Sequence, residues 1–143
     1  MAQRIEILRA IIEAWKAKDI DAVLSHLHDD VVWHYAVAAA PPLVGKAKAR
    51  RFLERFAADA NDIRWRIFAH QEAGDRLFVE GVDEFRTAAG DVVATPYAGV
   101  LDFSGDLVIG WRDYVDVGVM TAQRAGAPTT DHVKTLIDRP AVF

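Results

Sequence analysis

Residues 110–116 place an aspartate in a strand-like run of aromatic and apolar residues. Side chains alternate between the two faces of a strand, so Trp111, Asp113 and Val115 are expected to share one face. A carboxyl group between Trp and Val is poorly solvated, and it should either find a partner or hold its proton more tightly than a free aspartate. Asp113 is therefore a candidate acid/base group. An exposed position or an ordinary ion pair with an arginine would fit the same pattern.

A second aspartate repeats this arrangement earlier in the chain. Asp83 lies in residues 77–85, on a face whose other members are apolar or lack a side chain. These members are Leu77, Val79, Gly81 and Phe85. If the strands pair in register, Asp83 and Asp113 lie on the same inner face. Two carboxyl groups in one dry pocket rarely both ionise, because repulsion raises one pKa and leaves an acid beside a base at neutral pH.

Tyr35 is the third candidate for chemistry. It belongs to a β-branched and aromatic run, residues 31–37, and shares a face with Trp33 and Val37. An interior phenol can position a water or a substrate oxygen, or it can pack its ring and find a backbone partner.

The sequence predicts neither a metal site nor a cofactor. The chain has no cysteine, which excludes disulfides and thiolate ligands. His26, His28 and His34 span an expected helix end and a strand, which direct side chains along diverging vectors. We therefore expect these histidines to be structural.

Two helices are expected before the strand of Tyr35, and a third is expected between that strand and the strands of Asp83 and Asp113. Apolar residues from Ile5 to Trp15 recur at helical spacing and predict an amphipathic first helix. Asp19 can cap a second helix. Residues 38–45, which contain two prolines and a glycine, predict a loop before a third helix over residues 46–60.

The second half of the chain has the alternating pattern of a strand meander. Strands are predicted over residues 63–68, 77–85, 92–103 and 107–117. Pro96 inside the third of these predicts a bulge or bend. Residues 118–143 are expected to be a C-terminal tail with a short helix at 131–137. This order predicts a single α+β domain over residues 1–143, in which a curved mixed or antiparallel sheet forms a cone around about three N-terminal helices.

Composition limits the partners. The net charge of -4 does not provide the basic footprint of a nucleic-acid binder. No apolar run reaches the roughly 18 residues that a membrane span requires, and the N-terminus is not signal-like. We expect a soluble, cytoplasmic protein that binds a small apolar molecule and neither nucleic acid nor membrane.

The element order and four motifs resemble the cone-shaped nuclear-transport-factor-2-like, or SnoaL-like, superfamily, and in detail the limonene epoxide hydrolase family. The most specific motif is Gly-Trp-Arg-Asp-Tyr at residues 110–114. The others are Asp-Val-Val-Trp-His-Tyr at residues 30–35, the Pro-Pro and Gly of the loop at 41–45, and Val-Glu-Gly-Val-Asp at 79–83. The resemblance covers residues 5–117.

In that family an Asp-Arg-Asp trio and a Tyr-Asn pair hold a water that attacks an epoxide. The resemblance implies that Asp113 is the base, Asp83 the acid and Tyr35 a water-positioning group. The family's Arg falls on Gly81 and its Asn on Val37. The water would therefore lose an amide partner, and the two carboxyl groups would lose the cation that couples them. Without that cation, Asp83 and Asp113 should share one proton. Gly81 should leave space beside the pair.

The implied activity is cofactor-independent attack of water on an epoxide of an apolar substrate. A SnoaL-like cyclase, isomerase or lyase without water attack is the alternative, and a non-catalytic small-ligand-binding module is a third reading. Face alternation and the resemblance predict the substrate-binding residues Trp65, Val79, Gly81, Phe85, Thr95, Tyr97, Trp111, Val115 and Val37.

A homodimer is also expected. Phe68, Phe78 and Tyr114 should lie on the outer face of the sheet, where they would be exposed unless a second copy covers them.

Overall fold

The computed structural model describes residues 3–143, in which helices pack against a curved six-stranded sheet. The helices are α1 (Arg4–Lys16), α2 (Ile20–Ser25), α3 (Lys46–Asp59), α4 (Val117–Arg124) and α5 (Asp131–Ile137). The strands are β1 (Leu27–His34), β2 (Leu43–Val44), β3 (Arg66–Ala73), β4 (Arg76–Arg86), β5 (Val92–Ser104) and β6 (Leu107–Val115). The predicted α+β class is confirmed.

The three expected N-terminal helices form where their patterns predict them. The apolar stripe of α1 is buried, with Leu8 and Ile12 fully inaccessible. Asp19 caps α2, because its Oδ1 accepts the backbone N–H of Ala22 at 3.0 Å. The helices therefore present one apolar face to the concave side of the sheet.

The sheet has the order β2-β1-β6-β5-β4-β3 and is mixed, since β1 and β6 are parallel and the other neighbours are antiparallel. The predicted bulge at Pro96 is wrong, because the β4–β5 ladder runs through Pro96 without a shift. The proline lies just beyond the last β6 partner, at Tyr97, so no β6 hydrogen bond needs its missing N–H. Register shifts occur elsewhere, between Asp102 and Phe103 for example.

Several boundaries differ from the sequence prediction. β1 begins at Leu27, so His28 lies in a strand rather than at a helix end. It also ends at His34, which removes Tyr35 and Val37 from the strand alternation. β3 begins at Arg66, so Trp65 precedes the strand. The loop before α3 contains the two residues of β2.

Residues 118–143 contain two helices where one was expected. Asp116 caps α4 by accepting the backbone N–H of Val119 at 3.1 Å. The expected helix at 131–137 is present as α5, and it packs Val133 and Ile137 against Val82 and Ala94 on the outer face of the sheet. The chain therefore uses its own C-terminus to cover part of that face.

This cover changes the prediction for Phe68. Phe68 is half-buried beside α5, and the guanidinium of Arg139 lies 4.6 Å from the centre of its ring. Phe78 and Tyr114 are exposed, as expected. Across residues 3–143, no helix has both the length and the apolar character of a membrane span.

Candidate active site

A cavity of about 400 Å³ lies between the concave face of the sheet and the helices. α1, α2 and α3 contribute only apolar side chains to its walls, and α4 contributes a further part of the lining. A space of this size, enclosed mostly by apolar and aromatic groups, suits a small organic molecule.

Aromatic rings form the walls. Trp33 and Trp111 stack with centroids 5.3 Å apart, and Trp65 continues the stack at 6.1 Å from Trp111. Tyr35 packs its ring against Phe52 at 4.5 Å. Neighbouring indole planes are inclined by 27° and 30°, so the three rings form a continuous aromatic stack along one side of the cavity.

Asp83 and Asp113 both line this cavity. Asp83 is on β4 and Asp113 is on β6, with β5 between them. In the ladders Asp83 faces Thr95 and Asp113 faces Gly99. Each carboxyl group keeps some surface toward the cavity itself, while the surrounding protein encloses both.

The enclosure raises the pKa of both aspartates. Burial raises the pKa of Asp83 to about 6, although the charge of Arg124 lowers this pKa by a smaller amount. Burial also raises the pKa of Asp113 to about 8, and the charge of Asp83 adds to this rise. The Trp111 indole N–H donates to Asp113 Oδ1 at 2.9 Å and lowers the Asp113 pKa, but the effect of burial is larger. Near neutral pH the pair therefore holds about one proton.

Tyr97 lies beside the pair on β5. Its phenol oxygen accepts the Trp65 indole N–H at 2.7 Å, which leaves the phenol proton available as a donor. Burial raises the Tyr97 pKa well above its ordinary value, and the charges of Asp113 and Asp83 add to that rise. Tyr97 is therefore a neutral hydrogen-bond donor near neutral pH.

Three other polar atoms in the cavity walls are buried without a hydrogen-bond partner from the protein. They are Asp83 Oδ1, Thr95 Oγ1 and Trp33 Nε1. Buried polar groups are nearly always satisfied, so these three atoms are exceptions to that rule within the cavity walls. Asp83 and Thr95 are direct cross-strand neighbours, so an acceptor and a hydroxyl lie side by side there.

Of the residues predicted for the site, the structure brings Asp83, Asp113 and Tyr35 together around the cavity. The substrate-binding candidates that also line it are Trp65, Phe85, Thr95, Tyr97, Trp111 and Val115. Their catalytic and binding roles stay predictions.

Val79, Gly81 and Val37 do not line the cavity. Val79 is buried in the core, with its Cγ2 3.2 Å from where a Cβ on Gly99 would lie. Gly81 does not open space beside the carboxyl groups, because a Cβ there would be 2.4 Å from the backbone oxygen of Arg66. Val37 follows the end of β1, and its N–H donates to the backbone oxygen of Asp113 at 3.2 Å.

Sequence reasoning missed the contribution of α4. Val117, Met120 and Arg124 line the cavity from this helix. Their spacing of three and four, after a capping aspartate, is a helical signal that could have identified them. Helix positions such as Trp15 and Phe56 also line the cavity although the sequence marked them only as core.

Within residues 3–143, no cluster of three or more His, Asp or Glu side chains is arranged to hold a metal ion. The expectation that the site uses neither metal nor cofactor stays a prediction. The side chains in the cavity can exchange protons and donate hydrogen bonds.

The fold is that of a small α+β protein with a cavity on the concave side of a curved sheet. The model of the SnoaL-like domain matches residues 8–111, which is most of the chain, and the protein therefore belongs to the SnoaL-like domain family. The predicted superfamily is confirmed. A comparison with curated proteins finds no match.

Solved structures share the fold at low sequence identity. An epoxide hydrolase of the limonene epoxide hydrolase type from M. tuberculosis aligns with a TM-score of 0.72 and 22% identity, covering 84% of this chain and 87% of that one. A protein provisionally named a SnoaL-like polyketide cyclase, from Shewanella putrefaciens, aligns with a TM-score of 0.76 and 20% identity, covering 89% and 99%. A protein of ketosteroid-isomerase-like fold from Catenulispora acidiphila, in complex with trimethylamine, aligns with a TM-score of 0.75 and 23% identity, covering 86% and 94%.

Proposed function

We propose that this protein is a cofactor-independent enzyme that performs acid/base chemistry on a small, largely apolar molecule. The observation that carries the proposal is the pair of carboxyl groups, Asp83 and Asp113, in one aromatic cavity with pKa values raised to about 6 and about 8. Between these values one group is ionised and the other protonated, so a base and an acid face the same ligand.

The leading reaction is hydrolysis of an epoxide. One carboxylate takes a proton from water as the water oxygen attacks a ring carbon, and the other carboxyl group gives its proton to the departing epoxide oxygen. Water and epoxide become a diol with no net change in protons. Tyr35 and Tyr97 are the cavity-lining phenols that would hold the water, in place of the amide that Val37 does not supply.

A second candidate is a cyclase, isomerase or lyase reaction that moves a substrate proton without water. Tyr97 favours it, because its phenol proton is free to stabilise a developing enolate while its oxygen is held by Trp65. The aromatic stack of Trp33, Trp111 and Trp65 gives a conjugated substrate of this kind an apolar surface to pack against.

The test is a turnover assay on panels of apolar epoxides and enolisable ketones in ¹⁸O-labelled water and in D₂O. Epoxide hydrolysis puts one solvent oxygen into the product, whereas proton transfer without water puts in solvent deuterium and no oxygen. Asp83→Asn and Asp113→Asn should each lower kcat by about 10²- to 10⁴-fold. Asp106→Asn, in the exposed turn before β6, is the matched control and should retain activity.

Absence of turnover by the parent on both panels would leave only the ligand-binding reading. Ligand binding retained in the two inactive variants would separate loss of chemistry from loss of the fold. Equal turnover by the parent and both variants would contradict the acid/base roles of Asp83 and Asp113.

We also infer that two copies associate through the outer face of the sheet. Phe78 and Tyr114 are 41% and 52% exposed, on the part of that face that α5 leaves uncovered. Sedimentation at micromolar concentration should show a dimer, and Tyr114→Glu should shift it toward monomer. A monomer at all accessible concentrations would contradict this inference.

A further inference from the structure

A cation reaches the cavity from a helix that the family resemblance did not cover. Arg124 is the last residue of α4 and is the sole Lys or Arg among the described residues that line the cavity. Its Nη1 donates to Asp59 Oδ2 on α3 at 2.9 Å, and its guanidinium lies 5.2 Å from the centre of the Phe85 ring. Arg124 is thus held in place by an ion pair and by an aromatic face.

This cation lies at the Asp83 end of the carboxyl pair. Phe85 and Asp83 are two positions apart on the same face of β4, which corresponds to about 7 Å along a strand. Asp113 lies on the far side of β5. In agreement with this placement, the charge of Arg124 lowers the pKa of Asp83, whereas the groups that act on Asp113 are Trp111, Asp83 and Trp33.

The other titratable groups that face Asp83 do not reverse this asymmetry. Asp113 faces it from β6, Tyr97 from β5 and Tyr35 from the segment after β1. The three N-terminal helices present apolar side chains to the cavity. Asp59, the partner of Arg124, is not among the residues that line the cavity.

The oxygen atoms of the two carboxyl groups are also used differently. Asp113 Oδ1 accepts the Trp111 N–H, which favours the ionised form of Asp113, as does the Trp33 indole, but the effect of burial is larger and favours the protonated form. Asp83 Oδ1 is buried and accepts no hydrogen bond from the protein, so the charge of Arg124 is what favours the ionised form of Asp83.

We propose that Asp83 is the general base of this site and that Arg124 is the positioning residue that favours the negative charge of the carboxyl pair on Asp83. The catalytic meaning rests on the proposed function, but the charge distribution is a property of the free protein. The assignment exchanges the roles that the family resemblance implies.

In the hydrolytic reaction, Asp83 takes the proton of water and Asp113 gives its proton to the epoxide oxygen as the C–O bond breaks. The pair ends with the proton on Asp83 and the charge on Asp113. Return of one proton from Asp83 to Asp113 after the diol leaves restores the starting state.

The charge distribution can be measured without any substrate. Carboxyl ¹³C chemical shifts of aspartate-labelled protein, assigned with Asp83→Asn and Asp113→Asn, give both titrations. We expect Asp83 to ionise at the lower pH. Arg124→Gln should raise the Asp83 pKa by roughly half a unit, which is less than the 1–3 units of a close ion pair because Arg124 is partly exposed and paired with Asp59.

Two further variants make the result specific. Arg124→Lys retains the positive charge, so the Asp83 pKa in this variant should stay close to that of the parent. Arg139→Gln is the matched control, because Arg139 also pairs with a carboxylate, Glu80 at 3.0 Å, and lies over a phenyl ring, but on the outer face. It should leave both titrations unchanged.

The inference is overturned if Asp113 ionises at a lower pH than Asp83. It is also overturned if Arg124→Gln changes the Asp83 pKa no more than Arg139→Gln does. With a turnover assay in hand, the lower limb of the pH–rate profile should shift upward in Arg124→Gln by the same amount. If no substrate is turned over while the titrations behave as expected, the proposed function fails and the charge assignment stands.

Discussion

Asp113 and Gly99 face each other in the β5–β6 ladder, and a Cβ on Gly99 would lie 3.0 Å from Asp113 Oδ1. The Tyr97 ring and the Val79 side chain would each be 3.2 Å from the same Cβ. The glycine thus creates the space that the Asp113 carboxyl group occupies. Close approach rather than a special backbone angle explains this glycine, since its φ is not positive.

Gly99→Ala should therefore displace the Asp113 carboxyl group by a few tenths of an ångström and lower kcat by about tenfold or more, since small misplacements of reacting groups are costly. KM should change less than kcat. Ala98→Ser, on the exposed face of the same strand, is the control and should be neutral. Full activity in Gly99→Ala would show that the Asp113 position is not critical.

The positions of the two aspartates could be predicted because β4 and β6 are regular over these residues, so period-two alternation assigns their faces. The same rule failed for Val37, because β1 ends at His34 and the backbone turns before Val37. It also misjudged Gly81, whose missing side chain accommodates the Arg66 carbonyl from β3. That contact depends on how closely β3 approaches β4. The residue pattern of a single strand does not determine this distance.

The contribution of α4 required tertiary information. The pattern of residues 117–124 predicts a short helix, but it does not predict which part of the fold this helix packs against. Its position over the cavity depends on contacts with segments distant in sequence, namely the Arg124–Asp59 ion pair and the buried hydrogen bond from the Ala94 N–H to Gln123 Oε1. Long-range contacts of this kind are the part of a site that sequence patterns leave open.

The pH dependence of kcat/KM should be bell-shaped. Activity requires one carboxyl group ionised and the other protonated, so it should rise through a pKa of about 6 and fall through a pKa of about 8. The maximum is then near pH 7. Two limbs below pH 5, as for exposed aspartates, would contradict the enclosure of the pair.

Asp113 should make the protein less stable as pH rises. Its folded pKa of about 8 lies above its ordinary 3.8, so the folded state binds more protons than the unfolded state between these values. The stabilising contribution of Asp113 is fully present below pH 3.8, and it is lost progressively as the pH rises to about 8. Asp113→Asn keeps an acceptor for the Trp111 N–H but has no carboxyl group to titrate, so its stability should not fall with pH for this reason.

The gain in unfolding free energy from Asp113→Asn should thus be about 3 kcal/mol larger at pH 7.5 than at pH 5, at 1.36 kcal/mol per pH unit. Denaturant titrations of the parent and the variant at the two pH values measure it. Asp106→Asn, in an exposed turn, should show no such difference. An equal effect of Asp113→Asn at both pH values would show that Asp113 is ionised in the folded protein.

The Trp65–Tyr97 hydrogen bond should contribute to stability because both partners are largely enclosed. Tyr97→Phe leaves the Trp65 indole N–H without its acceptor, at a cost of about 1–3 kcal/mol. Trp65→Phe removes the donor together with much of one wall, so the bond itself is measured by the double-mutant cycle of the two changes. Within the cycle we expect a coupling energy of about 1 kcal/mol. A coupling near zero, together with unchanged turnover in Tyr97→Phe, would mean that the phenol neither anchors Trp65 nor donates its proton to a substrate oxygen.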